Sequence, residues 1–176
     1  MTRPARIVTV GHSNRALRDF LALLRAQRIG LVADVRKLRS SRAMPQFGER
    51  RLRAALGRAQ IGYVAIPELA GRRGKSADPS PRPCWRNPGF RNYADHMRTA
   101  EFREGIRKLL AAARRHRTAV MCAEAVPWRC HRSLIADYLV VERKRRVDEL
   151  VGDRARPHRF TVCARADGGR LTYDLP

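Results

Sequence analysis

This sequence has no apolar run approaching the roughly 18 residues of a membrane-spanning helix. Met1 to Arg6 leads straight into a strand-like segment without the apolar stretch of a secretory signal, so a cytoplasmic protein with no membrane attachment is expected. Acidic side chains are scarce, 16 against 38 basic ones, and the formal charge is +22. So basic a surface attracts polyanions through its long-range field and through counterion release, which makes an anionic small molecule or a nucleic acid the expected partner. Lysine is scarce too, occurring only at Lys37, Lys75, Lys108 and Lys144. A GC-rich genome also favours arginine over lysine, but that bias does not explain the shortage of acids.

Cysteine occurs four times, as Cys84, Cys122, Cys130 and Cys163, in a chain of 176 residues that is long enough to build a core without staples. Free thiols are expected at all four positions. Cys122, Cys130, His131 and His12 could supply soft metal ligands, but no Cys-x-x-Cys pair is present and Cys130 and His131, adjacent at a helix start, are expected to project differently, so no metal ligand is assigned. Gly71-Arg-Arg-Gly74 is too short for a phosphate loop or a dinucleotide fingerprint, and no cofactor is named. Repeats and low-complexity tracts are missing, which leaves one domain over residues 1–176. Nothing in the chain specifies an oligomeric state.

What is present is an alternation of strands and helices. Arg6-Ile-Val-Thr-Val-Gly11, Ile29 to Val35, Ile61 to Ile66 and Thr118 to Ala123 are short, β-branched runs of the buried-strand type. Between them Leu17, Phe20, Leu21 and Leu24, then Leu52, Ala55, Leu56 and Ala59, recur at helical spacing. Helices are also predicted from Tyr93 to about Arg98, from Glu101 to about Arg115 after a Thr99 cap, and from about Cys130 to Lys144. A weak strand is predicted near Val147 to Val151, and Phe160 to Tyr173 reads as a C-terminal hairpin about Asp167-Gly-Gly. The segment from about 67 to 92 holds most of the prolines and glycines and is expected to be a long loop, serving as a lid. The fold class expected is α/β: a mostly parallel sheet of about five strands with helices on both faces.

In such sheets ligands bind beyond the carboxyl ends of the strands. Those ends deliver His12 and Ser13, Asp34 and Arg36, Glu68, and Cys122 with Glu124. Each has a structural alternative. His12 or Ser13 would cap a helix, Asp34 would pair with Arg36, and Cys122 would be a small core residue. Four polar strand ends together favour a site. The strand-to-helix segment from Cys122 to Arg132 is the most informative, because a helix N-terminus favours an anion or a thiolate. Arg129 and Arg132 add to that field, and His131 or His12 would accept a thiol proton. Glu124 and Asp34 would form an acid/base pair or hold a divalent ion at a phosphate; ion pairs with Arg36 or Arg132 are the alternative.

Val10-Gly-His-Ser13, Ala33-Asp-Val-Arg36, Pro45-Gln-Phe47, Pro67-Glu-Leu-Ala-Gly71, Phe90-Arg-Asn-Tyr-Ala94 and Cys122-Ala-Glu-Ala-Val-Pro-Trp-Arg-Cys-His-Arg132 together resemble the domain-of-unknown-function 488 family, from about Arg6 almost to the C-terminus. Ala70 stands where that family more often has glycine. The resemblance implies a small α/β protein whose polar motifs look like a site, and no activity. The residues themselves favour an enzyme acting on a phosphorylated or nucleotide-like substrate. In it Cys122, Cys130, His131, Glu124, His12 and Asp34 would be catalytic, and Ser13, Arg36, Glu68, Arg129 and Arg132 would bind substrate. The alternative is a non-catalytic nucleic-acid or nucleotide binding module, and a third reading is a metal-supported structural protein.

Overall fold

The computed structural model describes residues 6–40 and 42–176. Five of the six leader residues weighed above, 1–5, lie outside them. Strands β1 (Ile7–Gly11), β2 (Leu31–Asp34), β3 (Gly62–Ala65), β4 (Thr118–Cys122) and β5 (Val147–Val151) pair in parallel, and β6 (Arg154–Pro157) adds an antiparallel edge, giving the order β3-β2-β4-β1-β5-β6. The α/β class holds, with six strands in the sheet rather than five. The extra strand is β6, whose Arg-Ala-Arg-Pro residues carry no apolar pattern and are recruited by a turn at Gly152, where φ is +65°.

Alternate residues of each strand face opposite sides, so one run of sequence feeds two cores. Val8, Val10, Val32, Ala119 and Met121 pack under α1 (Leu17–Ala26) and α2 (Glu49–Arg58) through Phe20, Leu24, Leu52 and Leu56. Ile7, Ala33, Val35 and Val120 pack on the other face under α3 (Pro88–His96), α4 (Ala100–Ala112) and α5 (Arg132–Val141). Thr99 caps α4 by accepting from Phe102 N–H, as its position predicts. Helix α3 starts five residues earlier than its apolar spacing suggests, because Asn87 caps Gly89 and Phe90 and Pro88 occupies the first turn. Helix α5 is shorter than expected at both ends, since Pro127–Arg129 forms a separate 3-10 turn.

The C-terminal hairpin is present as β7 (Arg165–Asp167) and β8 (Arg170–Thr172), closed by Gly168 and Gly169, both with positive φ. Residues 160–164 do not join it. They carry Cys163, which is bridged to Cys84 with the Cα atoms 5.7 Å apart. This corrects the expectation of four free thiols; only Cys122 and Cys130 are free among the described residues. The bridge closes 79 residues of sequence separation, a proximity set by tertiary packing alone.

The same packing fastens the long loop. Cys84 N–H donates to Tyr173 O, Leu175 N–H to Arg82 O, and Ser80 hydrogen-bonds Asp174. Arg73 holds the carbonyls of Pro67, Glu68 and Ala70 and pairs with Glu101. The segment expected to be a lid is thereby anchored along much of its length. No helix among the described residues is long and apolar enough to cross a membrane.

Candidate functional site

The carboxyl ends of β1, β2 and β4 meet at one edge of the sheet. The β1–β4 ladder runs past the strands, with His12 N–H donating to Cys122 O and Ser13 N–H to Ala123 O. Beyond that edge lies a cleft of about 560 Å³. Of the residues singled out in the sequence, Ser13, Arg36, Cys122, Glu124, Arg129, Cys130 and His131 line it. His12, Asp34, Glu68 and Arg132 are not part of its lining.

The reasons differ. Asp34 is fully buried and accepts from the Arg36 backbone N–H, from the Arg36 guanidinium at 2.7 Å, and from the Tyr63 hydroxyl at 2.9 Å. Its oxygens are therefore spoken for, and the ion-pair alternative describes it. His12 is stacked on Phe47 with ring centroids 4.1 Å apart. Burial lowers its basicity below that of an ordinary histidine, so the neutral ring donates from Nδ1 to Ser13 O and accepts from Arg36 at Nε2. No ring nitrogen is left for a substrate. Glu68 turns to Lys108 on α4.

Arg132 is the largest fully buried side chain among the described residues. Its guanidinium donates to Glu124 O and, at 2.9 Å, to Ala125 O, so its fork shapes the loop after β4. The opposite side of that loop rests on Gly11, where a Cβ would stand 1.8 Å from Glu124 O. Loop carbonyls are thus pinched between a glycine and a buried arginine.

On the cleft floor Cys122, from the end of β4, and Cys130, just before α5, converge on His131. Nδ1 of His131 lies 3.7 Å from Cys130 Sγ and 4.0 Å from Cys122 Sγ. The three atoms lie within 4.8 Å of one another. This corrects the expectation that Cys130 and His131 project apart: His131 precedes the helix proper, and its ring is steered by Val35 O, which accepts from Nε2 at 3.2 Å. The ring also lies on Gly71, where a Cβ would stand 2.6 Å from Nδ1, and 4.9 Å from the Tyr93 ring. The Cys122 thiol is held well below the ordinary cysteine range. Chief among the causes is the hydrogen bond from Cys130, followed by His131 and the Glu124 backbone N–H, against the opposing effect of burial. Burial, then the hydrogen bond given to Cys122, pushes Cys130 the other way. The two thiols are thus shifted in opposite directions, Cys122 toward the thiolate and Cys130 toward the thiol.

Sequence reasoning missed Lys37, Asn87, Gly71 and Tyr93 as cleft residues. Arg72 belongs to the run after β3 whose arginines suit an oxyanion at this edge, and Phe90 to a polar loop whose aromatics suit stacking on a base or anchoring the loop. Gly71 carried a signal in its motif, whereas Lys37 and Asn87 reach the cleft through loops with no periodic pattern. Ser13 and Arg72 also share left-handed backbone, with φ of +50° and +55°. Non-glycine residues in that region cost about 1–2 kcal/mol each, and such conformations gather at functional sites.

Neither a search of curated proteins nor one of solved structures found a match. The family model described as domain of unknown function DUF488 matches residues 16–139, which takes in the Asp34, Gly71, Tyr93 and Cys122-to-Arg132 motifs and leaves out His12 and Ser13. With more than two thirds of its length covered by that model, the chain belongs to the DUF488 family.

Proposed function

We propose that the cleft is the substrate site of an enzyme acting on a phosphorylated or nucleotide-like substrate. The observation that carries this reading is the meeting of two chemistries in one cavity: a sulfur–imidazole centre on the floor and cationic side chains, Lys37, Arg72 and Arg129, on the walls. A volume of about 560 Å³ lies within the range typical of small-molecule sites. Guanidinium groups suit a phosphate because their donor forks match its oxygens. In this reading Arg72, Arg129 and Lys37 hold the anion, Ser13 adds a hydroxyl, and Phe90 and Tyr93 supply an apolar wall. Cys122, Cys130 and His131 form the reacting centre. Glu124, exposed at the rim and accepting from Val126 N–H, moves protons. His12, Asp34, Arg36 and Arg132 act as positioning residues that hold the sheet edge and the loop. The anchored loop serves as a fixed wall.

A thermal-shift panel of nucleotides, phosphate esters and oligonucleotides tests the reading, since a ligand of the folded state raises its stability by mass action. At least one class should shift the melting temperature, Arg129→Ala should reduce that shift, and Cys122→Ala should abolish turnover of the same compound while leaving the shift in place. A flat panel defeats the proposal. A shift with no turnover of any compound by the wild-type chain would make the cleft a binding module.

A further inference from the structure

The geometry points to a zinc site on the cleft floor, formed by Cys122 Sγ, Cys130 Sγ and His131 Nδ1, with its fourth position open to the cleft. Two sulfurs and an imidazole nitrogen already lie within 4.8 Å of one another, with the nitrogen 3.7 and 4.0 Å from the sulfurs. Tetrahedral zinc with Zn–S near 2.3 Å and Zn–N near 2.0–2.1 Å needs edges of about 3.6–3.8 Å, so a contraction of a few tenths of an ångström to at most about one ångström completes the triangle.

The tautomer is set for this role. Val35 O accepts a hydrogen bond and can give none, so Nε2 keeps its proton, and Nδ1 is the ring nitrogen turned to the sulfurs and the one that would give up its proton to a metal. A ligating histidine commonly donates its other N–H to a backbone carbonyl in this way, which fixes the ring plane. Gly71 under the ring and Tyr93 beside it restrict its rotation. Thiolate and imidazole donors select zinc over magnesium or calcium.

No fourth cysteine, histidine or carboxylate joins the cluster among the described residues. Three protein ligands with a position left for water or substrate are the mark of a catalytic rather than a structural zinc. All three residues line the cleft, so that position faces the space where Arg72, Arg129 and Lys37 would hold an anion. This last point rests on the cleft being the substrate site; the metal site itself does not. With zinc bound, Cys122 and Cys130 are ligands, and the centre polarises a substrate oxygen or a water instead of attacking through sulfur.

Zinc titration of the reduced full chain, monitored by competition with a chromophoric chelator and by metal analysis after gel filtration, tests the site. One equivalent should be retained. Cys122→Ser, Cys130→Ser and His131→Ala should each weaken binding by more than the 10–100-fold typical of lost outer-shell contacts. Cobalt substitution should give the sulfur-to-metal charge-transfer band of a thiolate site, and bound zinc should protect Cys122 from iodoacetamide until EDTA is added. Because Cys130→Ser alters a buried position, Cys122→Ser at the half-buried position and the alkylation assay carry the test if that variant does not fold. Less than one equivalent, binding untouched by the substitutions, or unprotected alkylation overturns the site, as does a Cys122–Cys130 disulfide that persists under reduction. A nucleotide or phosphate-ester thermal shift in the zinc-free protein would preserve the substrate reading while the metal site fails, and zinc binding with a flat ligand panel would do the reverse.

Discussion

Residue 11 and Glu124 approach so closely that a single methyl group would not fit between them: a Cβ on Gly11 would stand 1.8 Å from the Glu124 carbonyl oxygen and 2.7 Å from its carbon. Both obstacles are backbone atoms, which no rotamer change can move. The loop that carries the cleft wall is therefore set by contact with the end of β1.

Gly11→Ala should displace that loop. Overpacking of this kind costs about 1–3 kcal/mol, so a drop of that size is expected in urea unfolding. A ligand found for the cleft should bind the variant weakly even where it remains folded. Unchanged stability and ligand response together would refute the account of this contact.

Arg132→Met tests the other side of the loop. It keeps much of the buried bulk but removes the donors to Glu124 O and Ala125 O. Leaving two acceptors short of a partner at about 1–3 kcal/mol each predicts a loss of about 2–6 kcal/mol in denaturant unfolding. Arg132→Lys should rescue little, because a single ammonium lacks the planar fork. Full rescue by lysine would show that charge alone matters there.

His158 predicts how stability depends on pH. Its ring is 1% exposed and bonds Glu149 through Nδ1 at 2.7 Å and Asp137 through Nε2 at 2.8 Å. Burial disfavours its charge, but the bonds to Asp137 and Glu149 prevail and raise its pKa to about 9. Asp137 also accepts from Thr161 and Tyr173, and Glu149 pairs with Arg156. A pKa raised above the unfolded value of about 6.5 contributes stability that is fully present below pH 6.5 and is lost as pH rises through about 9. Unfolding free energy should fall across that window, and His158→Gln should flatten the fall. An equal fall in the variant would assign it to other groups.

Reduction of Cys84–Cys163 should destabilise the fold without touching the cleft. A closed loop this long carries a stabilisation typically of about 2–4 kcal/mol, so the Cys84→Ser and Cys163→Ser double variant should melt earlier and keep its ligand response. Mass spectrometry of the alkylated, unreduced chain should find two free thiols, both within the tryptic peptides covering Cys122 and Cys130. Labelling at Cys84 or Cys163 would contradict the bridge.

Periodicity and residue type were enough for five of the strands and for all five helices, because burial at period 2 or 3.6 writes itself into local sequence. Parallel pairing then followed from the alternation, and with it the rule that strand ends form the site. The dense motif from Cys122 to Arg132 drew attention to a loop that lines the cleft for a similar reason: reactive and cationic residues crowded between a strand and a helix are visible without any long-range knowledge. Which of the polar strand ends would face a ligand was decided only in three dimensions. Asp34 and Arg36 close on each other, His12 is capped by Arg36 and Phe47, and Arg132 turns inward to two carbonyls. His131 meets both sulfurs because the Val35 carbonyl just beyond β2, 96 residues away, holds the far side of its ring. Side-chain direction, disulfide pairing and the burial of charge depend on partners remote in sequence, and no local pattern records them.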